Sequence, residues 1–191
     1  MPTAVADERM AVLQWGVVIC ASLVAAVFDL RTRRVPNAIT GPLLVAGLIQ
    51  AMSIGGLSGL VDAVGACVLL AMPFVLMFLF AHGGAGDAKF MGAIGAWLGL
   101  AQGTIVLFCV AGAGIVLAIA RAIAQKRLRF VLGNVFVSVC TFIIYLTGYR
   151  MKQYGADEAG ADQSYGLSIP YGVAIFAGVC AAGGFILLWQ R

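Results

Sequence analysis

Few groups in this sequence can do acid–base chemistry, and most of those sit where water would solvate them. Of the 8 acidic residues, Asp7 and Glu8 lie in an N-terminal tail, and Asp157, Glu158 and Asp162 lie in a polar loop. Asp29, Asp62 and Asp87 instead stand beside strongly apolar segments. Acidic groups at membrane depth are costly and are candidates for function by default. Asp62 follows a glycine-rich turn and reads as a first-turn charge favoured by the helix dipole. Asp29 and Asp87 each end or begin an apolar segment within a polar turn. Two carboxyl groups brought together cannot both ionise cheaply, so one keeps its proton while the other stays charged. That state suits hydrolysis of a peptide bond. The ionised group takes a proton from an attacking water, and the protonated one donates to the oxygen where charge develops. Such a pair calls for no metal and no organic cofactor. By spacing alone, the same two residues would serve equally well to anchor helix ends.

The elements that must position them follow from the distribution of charge. The chain has 12 basic and 8 acidic residues in 191, with 10 % charged, 62 % hydrophobic and a mean hydropathy of +1.03. Soluble domains carry roughly 25 % charged residues. Six windows contain no Asp, Glu, Lys or Arg: 10–28, 38–61, 63–86, 90–120, 130–149 and 163–190. A run of about 18 apolar residues suffices to cross a bilayer. These windows exclude a soluble globular enzyme, a disordered chain and a secreted disulfide scaffold. Lipid supplies no water for unpaired backbone groups, so an all-α, polytopic helical bundle is required. A transmembrane β-barrel would show alternating segments of about 10 residues instead. The expectation is a single membrane-embedded domain over 1–191.

The predicted segments are 10–28, 38–54 and 60–81, then two helices within 90–120, then 130–148 and 169–189. The window 90–120 is too long for one crossing at about 1.5 Å per residue, and a break is predicted near Gln102-Gly103. Pro36 and Asn37 suit the start of the second segment, where Asn caps orphan N–H groups. Arg31, Arg33, Arg34, Lys89 and the cluster Arg121, Lys126, Arg127, Arg129 mark three turns as cytoplasmic. They fall on one side if the N-terminus is outside, which places the 29–37 and 82–89 turns on the same face. The net charge of +4 then reports cytoplasmic loops, with no nucleic-acid partner. The first segment lacks the basic n-region of a cleaved signal peptide. Cys20, Cys67, Cys109, Cys140 and Cys180 form no CxxC and read as small buried hydrophobes. His82, the one histidine, reads as an interfacial residue.

Asp87 stands in Gly84-Ala85-Gly86-Asp87, a GxGD motif followed by Ala88 and Lys89. Paired glycines let the backbone approach a neighbour closely, and an extended peptide could pair with backbone groups there. With the sequence Asp29-Leu-Arg-Thr-Arg-Arg-Val-Pro-Asn37, Gly95-Ala-Trp-Leu-Gly99 and Ile169-Pro-Tyr-Gly-Val-Ala-Ile175, the chain resembles the type IV prepilin peptidases. These are membrane aspartyl proteases of the GxGD fold, and the resemblance is to the short branch serving tight-adherence (Flp) pili. It implies that Asp29 and Asp87 are the catalytic pair. Gly84, Gly86, Lys89, Pro36 and Asn37 become motif-supporting or substrate-positioning residues, although Lys89 also reads as snorkelling to lipid phosphates. The family removes a short basic leader from prepilin or pseudopilin precursors at the cytoplasmic face of the bacterial inner membrane. Membrane lipid and the pilus assembly machinery are the further partners it implies.

Two departures matter. The long bifunctional members carry paired CxxC motifs in an N-terminal region and also methylate the new pilin N-terminus. This chain begins almost at its first segment and has no CxxC, so proteolysis without methyl transfer is expected. Counting apolar windows also makes 130–148 a crossing, which would put Ile169 outside, whereas the resemblance places the Ile-Pro-Tyr-Gly element near the cytoplasmic face. Asn134, Ser138 and Thr141, flanked by basic residues, suit an interfacial helix. Six spans are therefore expected, with seven as the alternative. The rival to an enzyme is a small transporter or structural subunit whose Asp residues bind a cation or proton, which calls for carboxylates beside unwound helices near the bilayer middle.

Overall fold

The structure, a computed structural model, describes residues 2–32, 35–81, 84–124 and 171–189. The chain divides into two compact units, Met1–Gly114 with Pro170–Arg191 and Ile115–Ile169. Of the second unit, residues 115–124 are described, as the last turns of a helix. Every described element is helical: α1 (Pro2–Thr32), α2 (Asn37–Ala81), α3 (Ala85–Ala124) and α4 (Tyr171–Trp189). Three helical stretches are long and apolar enough to cross a membrane, Met10–Thr32, Asn37–Leu79 and Ala85–Arg121, and Tyr171–Ile186 is a shorter apolar helix. The outward side chains are themselves apolar, among them Val12, Leu57 and Phe108. That surface is suited to hydrocarbon rather than water.

α2 and α3 are each interrupted by one glycine of positive φ, Gly56 (φ 59°) and Gly99 (φ 69°). Both angles lie in a region that side chains other than glycine disfavour. The contacts show that each interruption reverses the chain. The first half of α2 (37–55) runs beside the first half of α3 (85–98), with Val35 near Gly86, and Leu43 and Gly47 near Trp97. The second half of α2 (57–81) runs the other way, with Asp62 at Leu100, Ala66 at Gly95 and Cys67 at Gly92. After Gly99, α3 turns back past Gly103, beside Leu70, and brings Val110 to Gly178 and Gly114 to the Tyr171 ring. α4 packs antiparallel along α1, from Gly172 at Asp29 to Gly183 at Trp15.

The first half of α3 is the centre of this unit. Every residue from 90 to 96 is buried, which covers all sides of a helix. Phe90, Met91 and Ile94 fill the space around it. Such enclosure needs backbones to approach closely, and a methyl group at position 95 would lie 2.5 Å from the Ala66 carbonyl oxygen. Small residues serve this purpose between membrane helices. The Trp97 indole N–H donates to the Leu43 carbonyl at 2.7 Å and ties the first half of α2 to the same core.

The structure corrects several sequence expectations. The break in window 90–120 falls at Gly99, not at Gln102-Gly103. Asp62 does more than favour its own helix: its Oδ2 accepts the Leu100 N–H at 3.2 Å, capping the half of α3 that starts after the break. Cys20 and Cys180 are exposed and Cys67 and Cys109 half-buried, because they lie on outward faces. The segment 130–148, with Asn134, Ser138 and Thr141, and Cys140, His82, Arg33, Arg34, Lys126, Arg127 and Arg129 lie outside the described residues. The Ala66–Gly95 contact yields a test. Gly95→Val should destabilise the protein by about 3 kcal/mol, the upper range for overpacking, because backbone must move. Equilibrium unfolding in mixed micelles measures it.

Candidate active site

Asp29 lies in the last turns of α1, on the side facing α4, and is only 7 % exposed. Its Oδ2 accepts the Gly172 N–H at 2.8 Å, a bond joining the first and last described helices. The approach is close. A methyl group at position 172 would lie 2.8 Å from the Asp29 Cβ and 3.3 Å from the Ala26 Cα. The N-terminus of α4 is thus pressed onto the C-terminal end of α1. A buried carboxylate without a partner would be costly, and a backbone N–H is a strong one.

Asp87 stands in the first turn of α3 and is 8 % exposed. A negative group is favoured there by the unpaired N–H groups of the helix start. Its own N–H donates to the Gly84 carbonyl at 3.2 Å, which closes the turn before the helix. The two glycines of the GxGD motif serve different purposes. A methyl group at position 84 would lie 2.9 Å from Asp87 Oδ2, so Gly84 leaves room for the carboxyl group. A methyl group at 86 would lie 3.2 Å from the Val35 carbonyl oxygen, so Gly86 lets α3 close onto the segment that follows Asp29.

Asp29 and Asp87 are brought to one end of the unit, both buried, and near enough for the Asp29 charge to act on Asp87. The Asp87 charge also reaches Tyr171, the first residue of α4. The Tyr171 ring meets Phe74 of α2 edge-on, with centroids 6.5 Å apart and planes at 85°. Four elements therefore converge on the carboxyl pair. Two buried acidic groups whose charges interact favour unlike protonation states.

The remaining candidate residues take positions that the sequence only partly foretold. The Pro36 carbonyl accepts the Ile39 N–H at 3.0 Å and the Thr40 N–H at 3.5 Å, so Pro36 holds the capping position of α2. Asn37 does not cap through its side chain. Its Oδ1 accepts from Lys89 Nζ at 3.2 Å. Lys89, expected to reach lipid phosphates or position substrate, is thereby linked to the other motif. Arg31 is exposed at the same end. On the Ala88–Lys89 side of Asp87, a recess of about 230 Å³ is lined by Ala71, Val75, Phe78, Ala85, Ala88 and Lys89. Sequence reasoning quoted the Tyr171-Gly172 pair but assigned it no role, because a hydrogen bond from a backbone N–H has no residue signature.

The chain was compared with known proteins by sequence and by structure. A family model described as the type IV leader peptidase family matches residues 16–119, a stretch that holds Asp29 and Asp87 and stops short of α4. The chain is 32 % identical over 120 residues to the prepilin leader peptidase/N-methyltransferase of Neisseria gonorrhoeae. That match covers 59 % of this chain and 42 % of the relative, so the chain spans less than half the length of that protein. No solved structure matches the chain.

The Asn37–Lys89 contact can be measured. A double-mutant cycle with Asn37→Ala and Lys89→Ala should give a coupling of about 0.5–1 kcal/mol in unfolding free energy, the range for exposed polar pairs.

Proposed function

Because the chain belongs to the type IV leader peptidase family, we propose that it is a membrane aspartic endopeptidase removing the leader from Flp-type prepilin precursors, with Asp29 and Asp87 as the catalytic pair. The observation that carries this reading is the convergence of two buried carboxyl groups, from the end of α1 and the start of α3, at one end of the unit. A transporter would place its carboxylates beside unwound helix within the span. Here the interruptions at Gly56 and Gly99 lie at the other end from this pair.

The reaction follows from the pair. A water bound between the carboxyl groups gives a proton to the ionised one as its oxygen attacks the scissile carbonyl carbon. The protonated partner gives its proton to the carbonyl oxygen, which becomes a hydroxyl. The tetrahedral intermediate collapses as the carbon–nitrogen bond breaks: the carboxyl group that took the water proton gives it to the leaving nitrogen, and its now-ionised partner takes a hydroxyl proton, which restores the starting state of the pair. The products are the free leader carboxylate and the mature N-terminus. Gly84 and Gly86 keep the Asp87 turn narrow, and the Lys89–Asn37 bond holds it to the start of α2.

The precursor's apolar helix would dock from the side, with the recess beside Ala88 as an apolar surface near Asp87. Energy from that remote contact would hold the scissile bond at the pair. Exposed Arg31 and Lys89 at this end support a cytoplasmic location by the positive-inside rule. α1, the halves of α2 and α3, and α4 together support six passes through the bacterial inner membrane. The α4 N-terminus at Asp29 favours six over seven, since it brings the Tyr-Gly element to the same end as the pair. The activity proposed is proteolysis without methyl transfer. Lipid around the bundle and the pilus assembly machinery complete the proposed partners.

Asp29→Asn and Asp87→Asn should each lower cleavage of a co-expressed Flp-type precursor by about a thousandfold or more, as losing a member of a catalytic unit does. Mass determination of the pilin N-terminus reads the outcome. Cleavage at the parental rate by either variant, at equal abundance, overturns the proposal.

A further inference from the structure

The family match ends at residue 119, yet the one hydrogen bond made by a catalytic candidate's side chain among the described residues comes from beyond it, at Gly172. We propose that the N-terminal turn of α4 is the positioning element of the carboxyl pair: the Gly172 N–H fixes the rotation of the Asp29 carboxyl group, and the Tyr171 ring sets where that N–H stands. This rests on Asp29 and Asp87 being the catalytic pair.

Three observations carry it. First, Gly172 is the second residue of α4, so its N–H is one of the helix-start donors with no partner inside the helix. It spends that bond on Asp29 Oδ2 at 2.8 Å. With Oδ2 tied down, Oδ1 takes no bond from the described residues and is the oxygen left for chemistry. Second, the fit excludes a side chain. A methyl group at 172 would lie 3.1 Å from Oδ2 as well as against Asp29 Cβ and Ala26 Cα, so α4 can come this near only with glycine. Third, the helix start is itself located. Tyr171 meets Phe74 of α2 edge-on, and its Cε1 lies 3.9 Å from where a methyl group on Gly114 of α3 would stand. Gly178 and Gly183 seat the rest of α4 against Val110 and Trp15. The N–H is therefore aimed by contacts to α1, α2 and α3 together.

A carboxyl group with one oxygen fixed loses its freedom to turn about the Cβ–Cγ bond. Misplacing a reacting group by about 1 Å can cost on the order of a hundredfold in rate. Removing the donor should therefore slow the chemical step without weakening substrate binding.

The test replaces the amide at 172 by an ester, with glycolic acid in place of Gly172, in the full chain made by cell-free translation into nanodiscs. The ester removes the N–H, which makes no bond within the helix, and makes the Tyr171 carbonyl a weaker acceptor, a change that an ester elsewhere in the helix shares. A matching ester at Ala177, an exposed position in mid-helix, removes an ordinary helix N–H instead. The expected result is a fall of about 10- to 100-fold in kcat for the 172 ester with KM unchanged, beside a lower melting temperature because the buried Asp29 carboxyl group loses its donor. The 177 ester should keep the parental kcat. Gly172→Ala, which retains the N–H but lifts α4 from Asp29, should also lower kcat. The proposal is overturned if the 172 ester cleaves at the parental kcat, if it raises KM as much as it lowers kcat, or if the 177 ester matches its loss. These outcomes are independent of the Asp29→Asn and Asp87→Asn assays. If those variants are inactive and the 172 ester is normal, the catalytic pair stands and the positioning role falls.

Discussion

The first half of α3 is enclosed by protein on every side, and that enclosure sets where the other helices must lie. At about 1.5 Å per residue this half is roughly 21 Å long, shorter than the ~30 Å hydrocarbon core. It is tolerated because both halves of α2 and the returning half of α3 cover it. Helices in lipid gain little from hiding apolar groups, so their association depends on close packing. The glycine contacts at 92, 95 and 103 supply that closeness. Asp87 stands at the mouth of this enclosed helix. Fixing the helix fixes the carboxyl group.

The candidate site shows how a membrane protein can keep two acidic groups together at modest cost. Both are buried, yet both sit at helix ends rather than in mid-helix. Asp87 has the unpaired donors of its own helix start nearby, and Asp29 borrows a donor from the start of α4. Among the described residues, neither carboxyl group is paired with a basic side chain. A cation beside the pair would hold both groups ionised and remove the acid that the proposed reaction requires.

Much of this was legible in the sequence. Asp29 and Asp87 stood out because charges are rare in the chain and both fall at edges of apolar windows. The turn at Gly55–Gly59 was also visible, since several glycines cluster there. What was hidden depends on partners far away in the chain. Window 90–120 contains glycines at 92, 95, 99, 103, 112 and 114, and nothing local distinguishes the one that breaks the helix. Asp62 distinguishes it, by capping Leu100 from another helix. Asn37 had a good local role as a cap, and Lys89 claimed its side chain instead. The Ile-Pro-Tyr-Gly element carried a family resemblance but no visible chemistry, because its contribution comes from the main chain.

The two single-glycine reversals also bear on how such a chain enters a membrane. At Gly56 and Gly99 the chain turns without a loop of charged residues, and window 38–61 contains no charge at all. A helical pair of this kind can slide into the bilayer as a hairpin, because its leading tip carries few groups that resist leaving water. Asp62, just past the first reversal, is the one charge that must be carried across with it, and the backbone N–H of Leu100, in the second hairpin, bonds it in the finished structure. Insertion of the second hairpin would in this way complete the first, so that the order of synthesis becomes the order of assembly.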